Sequence, residues 1–328
     1  MRRRRLLQAG AAAGATLLAD RWLPVAGADS RARVVVVKAE DHRDGVRRAL
    51  ALLGAGGLAR RHVVVKPNFN SADPFPGSTH PETLDALVDW LGEAGATRVT
   101  VADRSGMGNT RQVMEAKGVF AQGTRRGFLP IVLDELPARE WVPRALPGSH
   151  WQRGLLFPRL LEEAEAIVST CCLKTHRFGG HVTLSLKNSV GAVAKFGPDG
   201  YNYMSELHGS AAQRKMIAEI NLLYRPVVVL LDGIEAFVDG GPEAGRKVAP
   251  GVLVAGTDRV AVDAVGVAVL RLYGTTPAAS RGRIFEQEQI ARAAALGLGV
   301  TGPDLIDLVT DDRPGEAFLA RLRPTLLA

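Results

Sequence analysis

The chain is poor in cysteine and in aromatic residues: two cysteines, four tryptophans, four tyrosines and ten phenylalanines stand among 328 residues. Two thiols cannot build a disulfide framework or ligate an iron–sulfur cluster. Cys171 and Cys172 end the apolar run Ala166-Ile167-Val168-Ser169-Thr170 and read as two small buried strand residues. An aromatic content of 5% argues against a stacking surface for sugars or single-stranded nucleic acid. No apolar run reaches the roughly 20 residues that cross a bilayer as a helix. Internal repeats, low-complexity tracts and charged blocks are likewise missing. What remains, 46% hydrophobic and 23% charged residues, is the composition of a soluble globular protein.

The formal charge of +7 is concentrated at the start. Arg2, Arg3, Arg4 and Arg5 precede an apolar Ala/Gly-rich run from Leu6 to Ala19, and Ala26-Gly27-Ala28 has the small-x-small pattern of a cleavage site. Residues 1–28 therefore read as an export signal, with Arg3-Arg4-Arg5-Leu6-Leu7 resembling its twin-arginine version. Periplasmic or extracytoplasmic residence follows as an expectation, with no membrane insertion after cleavage. The segment carries Arg2–Arg5 and Arg21 against Asp20, four of the seven net charges, so the remainder is +3 and has no basic stripe for nucleic acid.

From residue 29 on, short β-branched runs alternate with helical patterns, which predicts a single α/β domain with a mostly parallel sheet and helices on both faces. Strands are expected at Val34–Lys38, His62–Lys66, Arg98–Asp103, Ala166–Leu173, Pro226–Asp232 and Val252–Thr257. Helices are expected at Pro81–Ala94, Thr110–Lys117, Ala211–Tyr224, Arg259–Leu272 and Arg283–Leu296. Residues 123–159, with five spaced prolines, read as an irregular insertion or small subdomain.

Ligands of open parallel sheets sit beyond the carboxyl ends of the strands. There the sequence is polar: Lys66-Pro67-Asn68-Phe69-Asn70, Asp103-Arg104-Ser105-Gly106-Met107-Gly108-Asn109, Lys174-Thr175-His176 and Asp232-Gly233. The Gly106/Gly108 spacing fits neither the dinucleotide fingerprint nor the phosphate loop. Thr79-His80-Pro81-Glu82 and Ser210-Ala211-Ala212-Gln213 have capping-box spacing, and Asn109 is an expected N-cap. Amide ends gathered beside Lys66, Lys174 and Lys187 suit a carboxylate or phosphate.

Lys66-Pro67-Asn68, Thr79-His80-Pro81-Glu82, Lys174-Thr175-His176, Lys187-Asn188 with Gly191, Asp232-Gly233 with Gly240-Gly241-Pro242, and Asp258 with Ala261-Val262-Asp263-Ala264 follow one another in order. Over most of residues 34–272 the chain resembles the domain of unknown function 362 family. The resemblance implies no established activity. Some relatives carry ferredoxin-like cysteine clusters; this chain lacks them, so their electron-transfer role is not carried over.

These readings converge on a small anionic molecule as ligand. Lys66, Lys174 and Lys187 would neutralise it, Asn68, Asn188 and Thr175 would orient it, and His208 would reach it from the stretch Lys195–Gly209, read as a lid that swings Tyr201 or His208 inward. His176 or His80 would move a proton, and Asp103 or Asp232 would position that base or hold a metal. His80, His176, His181 and His208 are also the candidates for holding a divalent metal, while the identity of any cofactor stays open. The resulting expectation is an exported enzyme acting on a small anion; the alternative is a non-catalytic protein that holds a ligand, metal or cofactor in the same cleft for a partner. A nucleophile elbow and a zincin helix are both absent from the sequence, which disfavours serine-hydrolase and metalloprotease chemistry.

Overall fold

Valine-rich runs build a central sheet in the computed structural model, which describes residues 31–328. The export signal expected over residues 1–28 lies outside the described residues. The strands are β1 (Ala32–Lys38), β2 (His62–Lys66), β3 (Arg98–Asp103), β4 (Leu129–Val132), β5 (Trp141–Arg144) and β6 (Leu155–Pro158). They continue with β7 (Ala166–His176), β8 (His181–Thr183), β9 (Val228–Phe237), β10 (Lys247–Val248), β11 (Val252–Gly256) and β12 (Ile306–Val309).

The sheet order is β12-β1-β11-β9-β7-β2-β3-β4, with β8 and β10 folded back on the ends of β7 and β9. Along that path β11 alone is antiparallel to its neighbours. The fold is α/β with a mostly parallel sheet, as expected. Alternate residues of each strand serve opposite layers. Val35, Val37, Val63, Val65, Leu230 and Leu253 face the helices His42–Leu53 and Pro81–Glu93, while Val34, Val36, Val64, Leu231 and Val254 face the opposite layer. That second layer contains Gln213–Ile220, Arg259–Leu272 and Arg313–Leu327. Cys171 and Cys172 are buried and free on β7, one in each layer's core, so adjacent residues on a pleated strand are kept from pairing.

Local chemistry sets the ends of the helices. Asp41 caps His42–Leu53 by accepting the Asp44 amide at 2.8 Å, and Gly54, at φ 64°, closes it with a bond to the Leu50 carbonyl. Two expected caps are corrected. The cap of Pro81–Glu93 is His80, because the Thr79 hydroxyl is taken by the Asn68 amide at 2.8 Å. The helix expected from Ala211 begins at Gln213, since Ser210 forms a turn with Ala212.

The expected insertion at 123–159 is partly absorbed into the main sheet. The helix Val119–Arg126 runs into it, and β4 pairs with β3 as the sheet's outer strand, where Pro130 is tolerated because an edge strand need not donate on both sides. Only β5 and β6 stand apart, as an antiparallel ribbon. The stretch Lys195–Gly209 is also more ordered than a loop: Tyr203–Gly209 is a helix, with Tyr203 and Leu207 in the core.

Candidate functional site

Chain connections leave β2 toward β3 and β4 on one side, and leave β7 toward β9 on the other. The β2/β7 border is therefore a topological switch point, where a crevice opens between diverging loops. A cavity of about 100 Å³ lies there.

Lys66 ends β2 and Asp103 ends β3, and they meet as an ion pair at 2.5 Å, both almost fully buried. Asp103 also accepts the amides of Phe69 at 2.6 Å and Arg104 at 2.7 Å. Burial presses Lys66 below and Asp103 above their ordinary pKa ranges, and each partner opposes the other's shift. Gly191 makes room for the pair: a Cβ there would lie 2.5 Å from Asp103 Oδ1 and 2.8 Å from Lys66 Nζ.

Asn188 ties β2 to β7. Its Nδ2 donates to the Lys66 carbonyl, Ser169 Oγ and the Thr170 carbonyl at 3.1–3.2 Å, while its Oδ1 accepts from Asn68 Nδ2 at 3.2 Å and Lys66 at 3.4 Å. Asn68 Oδ1 in turn accepts from Lys174 at 3.0 Å. These amides hold the floor of the cavity and have little left to give a ligand. Lys174 is fully buried behind Asn68, outside the cavity lining, and contributes its charge rather than a contact.

Among the described residues, the free polar groups lie elsewhere in the lining. Arg104 anchors its guanidinium on the Val190 carbonyl and, at 3.1 Å, on the Ser105 carbonyl, leaving Nε buried without a partner. Asn70 Nδ2, His176 Nδ1 and Thr183 Oγ1 are also buried and unpartnered, and all four residues border the same cavity. Lys187, with 9% of its surface exposed, has no hydrogen bond or ion pair among the described residues. It sits on the short helix Ser185–Asn188, whose first amides, Ser185 and Leu186, are held at 2.8 and 3.0 Å by the buried carboxylate of Asp263.

Burial, with Lys174 and Arg104 nearby, pulls the Lys187 ammonium down to about 7. Burial, and after it the charges of Lys187 and His208, holds His176 far below the usual imidazole range, so its ring is neutral. Burial raises Asp263 to about 6 against the amides that favour its charge. Arg104, Lys174 and Lys187 have no carboxylate within ion-pair distance among the described residues. The cavity is thus cationic and short of acceptors.

Lys66, Asn68, Asp103, His176, Lys187, Asn188 and His208 are brought together as expected, with His208 at the exposed rim, its Nδ1 2.7 Å from the Met204 carbonyl. The other expected residues lie apart. Asp232 shares its face of β9 with Leu230 and Ile234, under the first helical layer, and bonds His42 Nδ1 at 2.8 Å and Thr83 Oγ1 at 2.5 Å. His80 stacks on His42 at 3.8 Å, outside the cavity lining. Burial works against charge on His42, and Asp232, helped by Glu82 and Asp41, offsets it, leaving that imidazole above its ordinary pKa. Thr175 Oγ1 faces the carbonyls of Phe237 and Gly240, at 3.2 and 3.3 Å. His181, the strand partner of His176 across the β7/β8 turn, lies outside the cavity lining, and burial followed by Arg214 lowers its pKa. Tyr201 packs against Tyr203 and bonds Glu206 instead of covering the cleft.

Of the four candidate metal-binding histidines, His176 and His208 border the cavity, while His80 and His181 lie outside it. Among the described residues no three His, Cys, Asp or Glu side chains are set to share an ion. Arg104 and Asn70 stand in the polar strand exits, where the sequence assigns them no role; Arg104 follows Asp103 and Asn70 lies two residues after Asn68, and only the loop geometry shows that they turn inward.

Fold and site together define an α/β protein with a cationic pocket at the switch point of a mostly parallel sheet. The chain belongs to the DUF362 family, a domain of unknown function whose model matches residues 63–268. No protein of curated function matches it. Among solved structures it is similar to the lactate racemase apoprotein from Thermoanaerobacterium thermosaccharolyticum, at 17% identity and a TM-score of 0.44. That similarity covers 72% of this chain and 57% of the other.

Proposed function

We propose that the chain binds a small anionic molecule, a carboxylate or a phosphate, in the β2/β7 pocket and acts on it as an enzyme. The observation that carries this reading is the convergence of Arg104 Nε, Asn70 Nδ2, Thr183 Oγ1 and the Lys187 ammonium on one cavity without an acceptor among the described residues. Buried polar groups are nearly always satisfied, and an unpaired buried charge costs several kcal/mol, so an anion supplies what the fold withholds. His176, next to Lys187, is neutral in the free pocket, and a bound anion favours its charged form, which makes it the group suited to carry a proton between ligand and protein.

The test is a thermal-unfolding series with propionate, oxalate and phosphate. A ligand at about 100 times its Kd stabilises by about 2.7 kcal/mol, which is several degrees for a chain of this size. We expect such a rise for the wild type and its loss in Arg104→Met. If none of the three anions shifts the transition at millimolar concentration, the reading fails. His176→Gln is expected to keep the shift and lose turnover. Wild type and variant that share a ligand but convert no small molecule would make this a binding protein.

A further inference from the structure

Three lysines border or back the pocket, and two are fully engaged. Lys66 donates to Asp103, the Pro67 carbonyl and Asn188, and Lys174 donates to Asn68 and the Gly77 carbonyl. Lys187 has none of these constraints. Its stem passes the bare backbone of Gly180, where a Cβ would stand 2.7 Å from Lys187 Cε and 2.9 Å from His176 Nδ1. The amine chain and the unpartnered imidazole nitrogen thus flank one point in space. Arg104 approaches the same cavity and remains a cation whatever the pH, the standard receptor for a carboxylate.

We infer that Lys187 is an amine nucleophile that condenses with the carbonyl carbon of a small 2-oxo carboxylate, an inference that rests on the anion reading above. Arg104 and Asn70 hold the carboxylate, which places the adjacent carbonyl at the Lys187 end of a cavity of about 100 Å³, room for a molecule of few heavy atoms. The lysine nitrogen donates its electron pair to the carbonyl carbon, forming a C–N bond, and the carbonyl oxygen becomes a hydroxyl by taking one proton from the solvent. The nitrogen loses one proton, which His176 accepts and returns to the hydroxyl. The C–O bond then breaks, water leaves, and an iminium remains. No oxidant or reductant enters. The low pKa of Lys187 in the free pocket favours this chemistry: a bound carboxylate raises it, yet a fraction of the amine stays free above neutral pH.

The experiment is incubation of the full chain with pyruvate and sodium cyanoborohydride, which delivers hydride to the iminium carbon and makes the link permanent. Intact-protein mass spectrometry is expected to show one reduced pyruvate per chain, peptide mapping to place it on Lys187, and propionate to slow it by competition. Lys187→Arg and Lys187→Met, checked for a native unfolding transition, are expected to acquire none at the site. If pyruvate raises the unfolding temperature as propionate does but leaves no adduct, or the adduct lies on another lysine, the nucleophile assignment is overturned while the anion reading stands. If neither acid stabilises the protein and no adduct forms, both are wrong.

Discussion

Asp103→Ala is expected to cost about 3–5 kcal/mol of folding stability, the range found when one member of a buried ion pair is removed. Three interactions end together: the 2.5 Å contact with Lys66 and the bonds from the Phe69 and Arg104 amides. Lys66 would then be an ammonium with about 1% of its surface in contact with water, holding only a carbonyl and an amide oxygen. Adding Lys66→Met should restore part of the loss, because it removes the stranded charge. It should not restore all of it, because the two amides stay without an acceptor. Denaturant midpoints at pH 7 measure both effects. A loss below about 1 kcal/mol for Asp103→Ala would mean that water reaches the pair, against its burial.

The second large effect runs the other way. Lys187→Met is expected to stabilise the protein, and most strongly in acid. The folded state holds the Lys187 pKa at about 7, against 10.5 for the free side chain. Between those values the unfolded chain binds the proton and the folded chain does not, so wild-type stability rises with pH through that window. Below pH 7 both states are protonated and the folded state carries the whole penalty, on the order of 4 kcal/mol at 1.36 kcal/mol per pH unit. Burial sets most of this penalty, and after it the charges of Lys174 and Arg104, neither of them anionic. The stability gain of Lys187→Met over wild type should therefore be flat and greatest below pH 7, and shrink toward pH 10.5. Chemical denaturation across that range reads it; a gain that grows with pH would contradict the account. A residue kept at such a cost is one retained for function.

Much of the fold was legible because its signals are local. β2 and β3 fall where the Val runs between His62 and Lys66 and between Arg98 and Asp103 place them, and Arg259–Leu272 has the limits that Asp258 as cap and a long apolar run require. β9 was cut short at Asp232 because Gly233 reads as a turn, whereas the strand continues to Phe237, with Gly233 lying close against Leu173 and Val252. β12 and the helix Arg313–Leu327 escaped because a four-residue edge strand and a proline-bearing helix give weak periodicity.

The site was legible to the level of the strand ends. Lys66, Asp103, His176, Lys187 and Asn188 meet as their positions implied. Which face each strand end presents was not readable: Asp232 follows the pleat to the opposite side of the sheet from Leu231, and Lys174 is turned behind Asn68. Arg104 was passed over because an arginine after a strand usually reaches water, and only the closure of Val190 and Met204 over it makes it a pocket residue.

Calorimetric titration of propionate into the wild-type protein at pH 8, in two buffers of different ionisation enthalpy, tests the central claim most directly. At that pH the free pocket holds Lys187 mostly as the neutral amine, and a bound carboxylate draws a proton onto it. The account predicts a single site, uptake of most of one proton on binding, and neither proton uptake nor comparable affinity in Lys187→Met. Saturable binding with no proton uptake, equal in wild type and variant, would contradict it.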